Sequence, residues 1–267
     1  MDSGAIYLTR LPNMTKPSGR YVALTPFRSI VNDLMHFSKA VPVATVERKI
    51  NLGAIKSARN LHPSKPSWTS IFAKAYGMVA RDIPDLRRTY MSFPWPHFYE
   101  HPHSVASINV EREVNGERIV LYSYVRSPET RPLEEIDEII RHHKEDPIEQ
   151  VRSYTRTKTL GMVPSLIRKF VWWYTLNVQG KLKTHNFGTF AISSVSSMGA
   201  GLVNLLPIVS TQVHYGMLDK DGNLDVRLSF DHRVMDGGNA ARALVALDEA
   251  LNRSVLYELA PVRKMAA

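Results

Sequence analysis

The chain has 267 residues, 44% of them hydrophobic and none of them cysteine, which allows one large buried core and excludes disulfides, thiol nucleophiles and Cys-ligated zinc. A formal charge of +9 favours polyanionic partners, whether nucleic acid, anionic lipid or the phosphates of coenzyme A, but no helix-turn-helix, zinc-finger or RNA-binding signature supports nucleic acid. No apolar run is long enough to span a bilayer and the first residues lack the apolar centre of a signal peptide, so the expectation is a cytoplasmic protein with a single domain over residues 1–267.

After an irregular start, Thr25-Pro26 supplies a cap and a first-turn proline for a helix with Phe27, Ile30, Val31, Leu34 and Met35 on one face and Arg28 off it. Residues 41–52 are β-rich. Trp68, Ile71, Phe72, Ala75 and Val79 are spaced for a buried helical face between Ser67 and Arg81, which Pro84 ends. Residues 92–103 crowd Phe93, Trp95, Phe98 and Tyr99 with His97, His101 and His103. These histidines lack a regular ligand spacing, so no metal is expected, and the segment reads as a loop walling a substrate channel. Residues 104–113 and 118–125 then read as two strands joined through Asn115-Gly116. An acidic helix with Leu133, Ile136, Ile139 and Ile140 follows.

Residues 164–183 contain the adjacent aromatics Trp172, Trp173 and Tyr174. No single helical face can hold all three, so at least one should be partly exposed. Packing at a subunit interface is the preferred reading. The other is peripheral membrane contact, or contact with a long acyl chain, helped by Arg168, Lys169, Lys181 and Lys183. Residues 188–194 read as a strand that ends in a serine-rich turn. Residues 207–218 and 224–230 flank Asp219-Lys220-Asp221-Gly222 as a hairpin. Strands interleaved with helices, without regular βαβ spacing, predict an α/β fold of the sandwich type, a mixed sheet flanked by helices.

The most informative stretch follows. Leu224, Val226, Leu228 and Phe230 alternate as a strand, and Ala243, Leu244, Leu247 and Leu251 recur as a helix, so Asp231-His232-Arg233-Val234-Met235-Asp236-Gly237-Gly238 is a strand-to-helix junction. The strand fixes the backbone, the two glycines let it turn, and a neutral imidazole there can take a proton from a thiol or alcohol near pH 7. Asp236 lies within reach of His232 or of a nearby arginine.

Ser229 to Gly238, followed by Ala240-Ala241-Arg242, resembles the signature of the catalytic domain of the acyltransferase components of 2-oxo-acid dehydrogenase complexes. Gly188-Thr189-Phe190-Ala191-Ile192-Ser193-Ser194-Val195 is similar to that family's Gly-Thr-Phe-Thr-Ile-Ser-Asn-Leu segment. Residues 26–52 resemble its first helix and the strand after it, a pattern that includes an arginine near Arg28. The resemblance implies a chloramphenicol acetyltransferase-like fold and acyl transfer to or from a thioester. It implies His232 as general base and Ser193 as the hydroxyl that donates to the oxyanion, with Ser194 and Ser196 as alternatives, and Asp236 as support for the active-site loop. It also implies a homotrimer, or a multiple of three, with His232 of one chain facing Ser193 of the next. The co-substrate would be coenzyme A or acyl-CoA, a carrier-protein phosphopantetheine, or lipoamide in trans, and an acyl-carrier or lipoyl protein would be a partner.

The chain departs from that pattern in two ways. It carries neither a lipoyl nor a peripheral-subunit-binding domain, and after Ser194 it lacks the usual Asn-Leu-Gly pattern. A stand-alone acyltransferase with a thiol, hydroxyl or amine acceptor is therefore the leading expectation. The alternatives are a dehydrogenase-complex core served by a lipoyl domain in trans and a non-catalytic trimeric scaffold.

Overall fold

In the computed structural model the described residues are 19–193 and 208–260. Helix α1 (Pro26–Ser38) starts where the Thr25 hydroxyl accepts a hydrogen bond from the Arg28 N–H at 3.1 Å, with proline in the first turn. Strand β1 (Val43–Asn51), α2 (Gly53–Leu61) and α3 (Trp68–Asp82) follow. Ser67 caps α3 through the Ser70 N–H. Strands β2 (Arg88–Met91) and β3 (His97–Glu100) form a small antiparallel sheet. The supposed loop at 92–103 thus contains a strand, because aromatic His97-Phe98-Tyr99 finds a pairing edge in β2 that periodicity over so short a run does not reveal.

Strands β4 (Val105–Val114) and β5 (Glu117–Arg126) make the predicted hairpin, and both turn residues, Asn115 and Gly116, have positive φ (52° and 79°), as a two-residue turn of this hand requires. Next come α4 (Leu133–Glu145), α5 (Arg152–Met162), α6 (Ser165–Asn177) and α7 (Gly180–Phe187). Strands β6 (Phe190–Ser193), β7 (Thr211–Tyr215) and β8 (Asn223–Asp231) lead into α8 (Gly237–Ala250) and the short α9 (Leu256–Leu259). Helix α5 has too few apolar residues to announce itself in sequence. It forms by lying on α1, so closely that a Cβ on Gly161 would stand 2.4 Å from the Pro26 carbonyl oxygen.

The main sheet has the order β1-β8-β7-β6-β4-β5. The β4, β6 and β7 strands are parallel to one another, and the remaining pairs are antiparallel. The mixed sheet flanked by helices expected from sequence is therefore what forms. Ala106, Ile108, Phe190, Ile192, Val213 and Val226 bury one face under α3, α4 and α8, where the Phe72 ring stacks on Tyr215 and Tyr76 meets Phe190 edge-on. Alternation sends the intervening residues to the opposite face. There Ser107, Ser193, Gln212, His214 and Ser229 are all buried, so this face is polar without being wet.

The aromatic segment splits into α6 and α7. Within α6, Trp172 is buried between Phe37 and Phe187, whereas Trp173 and Tyr174 are partly exposed. Of the four cations read from sequence as membrane helpers, two are not at the surface. Arg168 is buried in an ion pair with Asp33 of α1 and also donates to the Gly161 and Val163 carbonyls; Lys183 is buried and donates to the Tyr90 carbonyl. Trp172→Ser should accordingly lower stability by about 3 kcal/mol, the cost of an emptied aromatic site, while Trp173→Ser should stay within about 1 kcal/mol. Urea unfolding of the two variants checks this, and equal losses would contradict the assignment of faces.

Candidate active site

Strand β8 delivers His232 to the point where the chain leaves the sheet. Its partner β1 is paired along the whole length of β8, from Asn51 with Asn223 to Val43 with Asp231, so the end of the strand cannot fray without breaking a nine-residue ladder. The turn that follows is held mainly by Asp231. Its buried carboxylate accepts hydrogen bonds from the Arg233 N–H (3.0 Å), Nε (2.9 Å) and Nη2 (2.7 Å). Its carbonyl accepts from Val234 and Met235, and its N–H donates to the Ser210 carbonyl. The Arg233 guanidinium in turn lies 4.5 Å from the Tyr90 ring centroid, tying the turn to the small sheet. Lys183 shares this surrounding; burial lowers its pKa to about 8, with Asp231 pulling the other way.

His232 donates its N–H to the Pro42 carbonyl at 2.8 Å and keeps its ring half exposed, 49% accessible, 5.6 Å from Phe230. The ring Nδ1 is 3.5 Å from Asp236 Oδ1, beyond a good hydrogen bond. Asp236 is 86% exposed, and no described residue bonds its side chain; its carbonyl accepts the Asn239 and Ala240 N–H groups that open α8. Among the described residues the carboxylate that holds this turn is that of Asp231, while Asp236 stands exposed beside His232. A sequence signal was present: alternation places Asp231 on the polar face with Ser229, buried, where a carboxylate needs a cation, and Arg233 is two residues away.

Ser193 ends β6, buried on the polar face. Its register partner is His214 of β7, whose ring Nδ1 bonds the Ser193 carbonyl at 2.9 Å; burial lowers the pKa of that imidazole. Sequence reading missed His214, since a histidine within an apolar strand carries no motif. Ser194 and Ser196, the alternative hydroxyls, lie outside the described residues. The histidines of 97–103 turn to backbone instead of to each other's free nitrogens: His97 Nδ1 bonds the Trp95 carbonyl and His101 Nδ1 the His103 carbonyl.

The ladder fixes how Ser193 and His232 stand. Ser193 pairs with His214, and His214 with Arg227 of β8, whereas His232 lies five residues further along β8. At about 3.3 Å per residue and 4.8 Å per strand, the two residues are roughly 20 Å apart at opposite ends of the sheet. Within one chain they cannot act on the same atom.

A mixed six-stranded sheet with helices on its apolar face and a histidine turn at the end of one strand defines the fold of the acyltransferase cores of 2-oxo-acid dehydrogenase complexes. Three solved structures share it. The cubic core of a pyruvate dehydrogenase multienzyme complex superposes with a TM-score of 0.62 at 15% identity, covering 93% of this chain and 98% of that one. A probable dihydrolipoamide acetyltransferase from Listeria monocytogenes gives 0.60 at 14% identity with the same coverage. The dihydrolipoamide acetyltransferase of Azotobacter vinelandii, studied for the roles of a serine, a histidine and an asparagine in its catalytic mechanism, gives 0.61 at 16% identity, again over 93% and 98%. By sequence, no family model and no curated protein matches.

Asp231→Ala should cost about 2–4 kcal/mol, because it strands Arg233 and unties the turn, whereas Asp236→Ala should stay within about 0.5 kcal/mol. Chemical denaturation measures both, and the reverse order would return the supporting role to Asp236.

Proposed function

We propose that this chain is a cytoplasmic acyltransferase whose catalytic unit is formed by residues 1–267. It would move an acyl group between a coenzyme A or carrier-protein thioester and a thiol, hydroxyl or amine acceptor. The observation that carries the reading is the separation of Ser193 from His232 on one sheet within a fold shared with acyltransferase cores. A site built from both residues needs two chains, and cyclic assembly supplies the same pairing at every interface. A homotrimer is the smallest assembly consistent with the family resemblance, and one structural neighbour is itself the cubic core of a larger complex.

In this reading the half-exposed His232 imidazole removes the proton of the acceptor. The acceptor attacks the thioester carbonyl, the Ser193 hydroxyl of the neighbouring chain donates to the oxyanion, and collapse expels a thiolate that takes the proton back from the imidazolium. The Azotobacter protein's histidine and asparagine lie four residues apart, as do His232 and Asp236 here, which supports equating the two turns. The segment 92–103, joined to the turn through Tyr90 and Arg233, would wall the channel. A dehydrogenase-complex core fed by a lipoyl domain in trans uses the same chemistry. A non-catalytic scaffold does not.

Single variants test the site across the interface. His232→Ala and Ser193→Ala should each cut acyl transfer at least about a hundredfold, as for loss of a general base or an oxyanion donor. Refolded together in equal amounts, they should regain about a quarter of wild-type activity, because random cyclic assembly joins an intact His232 to an intact Ser193 at that frequency. No recovery in a mixed trimer would place both residues in one chain's site, and unimpaired single variants would leave the scaffold reading.

We also propose that the outer face of α6 meets anionic membrane. Leu166 (85% exposed), Ile167, Phe170 (63%) and Trp173 face outward while Arg168 and Thr175 face in, and Lys169 and Lys181 remain at the surface. Inverted polarity of this kind marks an interaction surface. Phe170→Ser should reduce co-sedimentation with anionic vesicles, and the wild-type interaction should weaken with salt. Unchanged vesicle binding would assign the face to chain-to-chain packing.

A further inference from the structure

A cavity of about 950 Å³ runs along the edge strand β5 on the polar side of the sheet, walled by α1, α5, α6 and α7. Tyr122 and Tyr124 of β5 form its floor. Its walls are apolar, with Ile30, Val31 and Leu34 from α1, Trp172 from α6 and Leu182 from α7. Its rim is cationic, with Arg28, Arg118, Arg126, Arg152 and Arg156. The acids nearby are engaged: Glu117 accepts from the Thr25 hydroxyl at 2.8 Å, and Asp146 is held by His142 at 3.1 Å. Arg118 faces Glu111 and Glu113 at 4.0 and 3.8 Å, but among the described residues Arg28, Arg126, Arg152 and Arg156 have no carboxylate within ion-pair distance.

Two of these four, Arg126 and Arg156, flank Tyr124 towards the end of β5, where Arg126 pairs with Val105. Arg126 Nη2 lies 3.1 Å from His185 Nδ1, and the positive field of Arg156 acts on the Tyr124 hydroxyl, whose carbonyl partner is Asn186. Ile192 pairs with Ile108, which puts the next residue, Ser193, level with Asn109, and Asn109 pairs with Tyr122, so Ser193 lies two strands, about 10 Å, from the cavity floor and on the same face. The Asn109 Oδ1 between them is buried without a hydrogen-bond partner. Folding alone gains nothing from like charges around a half-open apolar chamber. A ligand with a hydrocarbon tail and an anionic head satisfies both at once. The volume stands near the upper end of the ~300–1,000 Å³ usual for small-molecule pockets, far more than a short acyl group fills.

We infer that this cavity binds the tail of a long-chain amphiphile whose anionic head, phosphate or carboxylate, is held by Arg126 and Arg156. Resting on the acyl-transfer reading above, the amphiphile is the acceptor of the acyl group.

Calorimetric titration of the assembled protein with dodecyl phosphate below its micelle concentration tests this without any acyl donor. Dodecyl phosphate should bind at least about tenfold more tightly than inorganic phosphate or dodecanol, because head and tail are both engaged. A parallel titration with dodecanoate assigns the head: whichever amphiphile binds more tightly names the anion. R126A/R156A should weaken binding of the favoured amphiphile at least about tenfold, and Val31→Trp, which fills the chamber, should do the same at an unchanged melting temperature. Should that variant melt early, Leu182→Trp fills the chamber from the opposite wall. Equal binding by wild type and R126A/R156A, or no preference for an amphiphile over inorganic phosphate, overturns the inference. Binding without acyl transfer would refute the transfer reading alone, and transfer without amphiphile binding would refute the cavity alone.

Discussion

One buried carboxylate organises the end of the sheet. Asp231 is the last residue of the ladder with β1 and the first of the turn, and its side chain and backbone together receive Arg233, Val234 and Met235 while its N–H is spent on Ser210. A carboxylate this buried is tolerable only with a cation and several donors, so the turn has one low-energy shape. That shape puts His232 outward with its backbone locked to Pro42, a rigid main chain carrying a reachable imidazole. Arg233 passes the constraint on to Tyr90, and Lys183 from α7 closes the same knot.

The sheet then separates two chemistries by alternation. Its apolar residues bind α3, α4 and α8 and account for the core. The residues between them are serines, a glutamine, a histidine and two tyrosines, and on a protein with one covered face they would ordinarily be wet. Here the serines, glutamine and histidine are buried and the tyrosines half-buried, and Ser193, Asn109 and Tyr122 form a polar row that ends at the cavity beside β5. The same inversion recurs on α6, which buries an arginine against Asp33 and turns leucine, isoleucine, phenylalanine and tryptophan outward. Polar groups inside and apolar groups outside, in one region, are the marks of surfaces made for contact and not for folding.

Sequence reading located the hairpin at Asn115-Gly116, the β8-to-α8 junction, the capped start of α1 and the buried face of α3, because each rests on short-range rules of turn geometry, capping and periodicity. It missed α2, β2, β3 and α5. The two short strands are stabilised by each other and α5 by α1, so their own residues carry little pattern. At the site it singled out His232 and Ser193 through their motifs, but it gave the loop-supporting role to Asp236, which is exposed, and overlooked Asp231, whose partner is two residues away.

By itself the sequence determined the β4–β5 hairpin, the mixed α/β class and the position of a histidine where a strand becomes a helix, since those follow from neighbours a few residues apart. Only the tertiary structure decided that Ser193 and His232 occupy opposite ends of one sheet, that Arg168 and Lys183 are buried, and that arginines from α1, α5 and β5 line one apolar cavity. These are relations between residues tens to over a hundred positions apart, and they are set by strand register and helix packing, which no local pattern encodes.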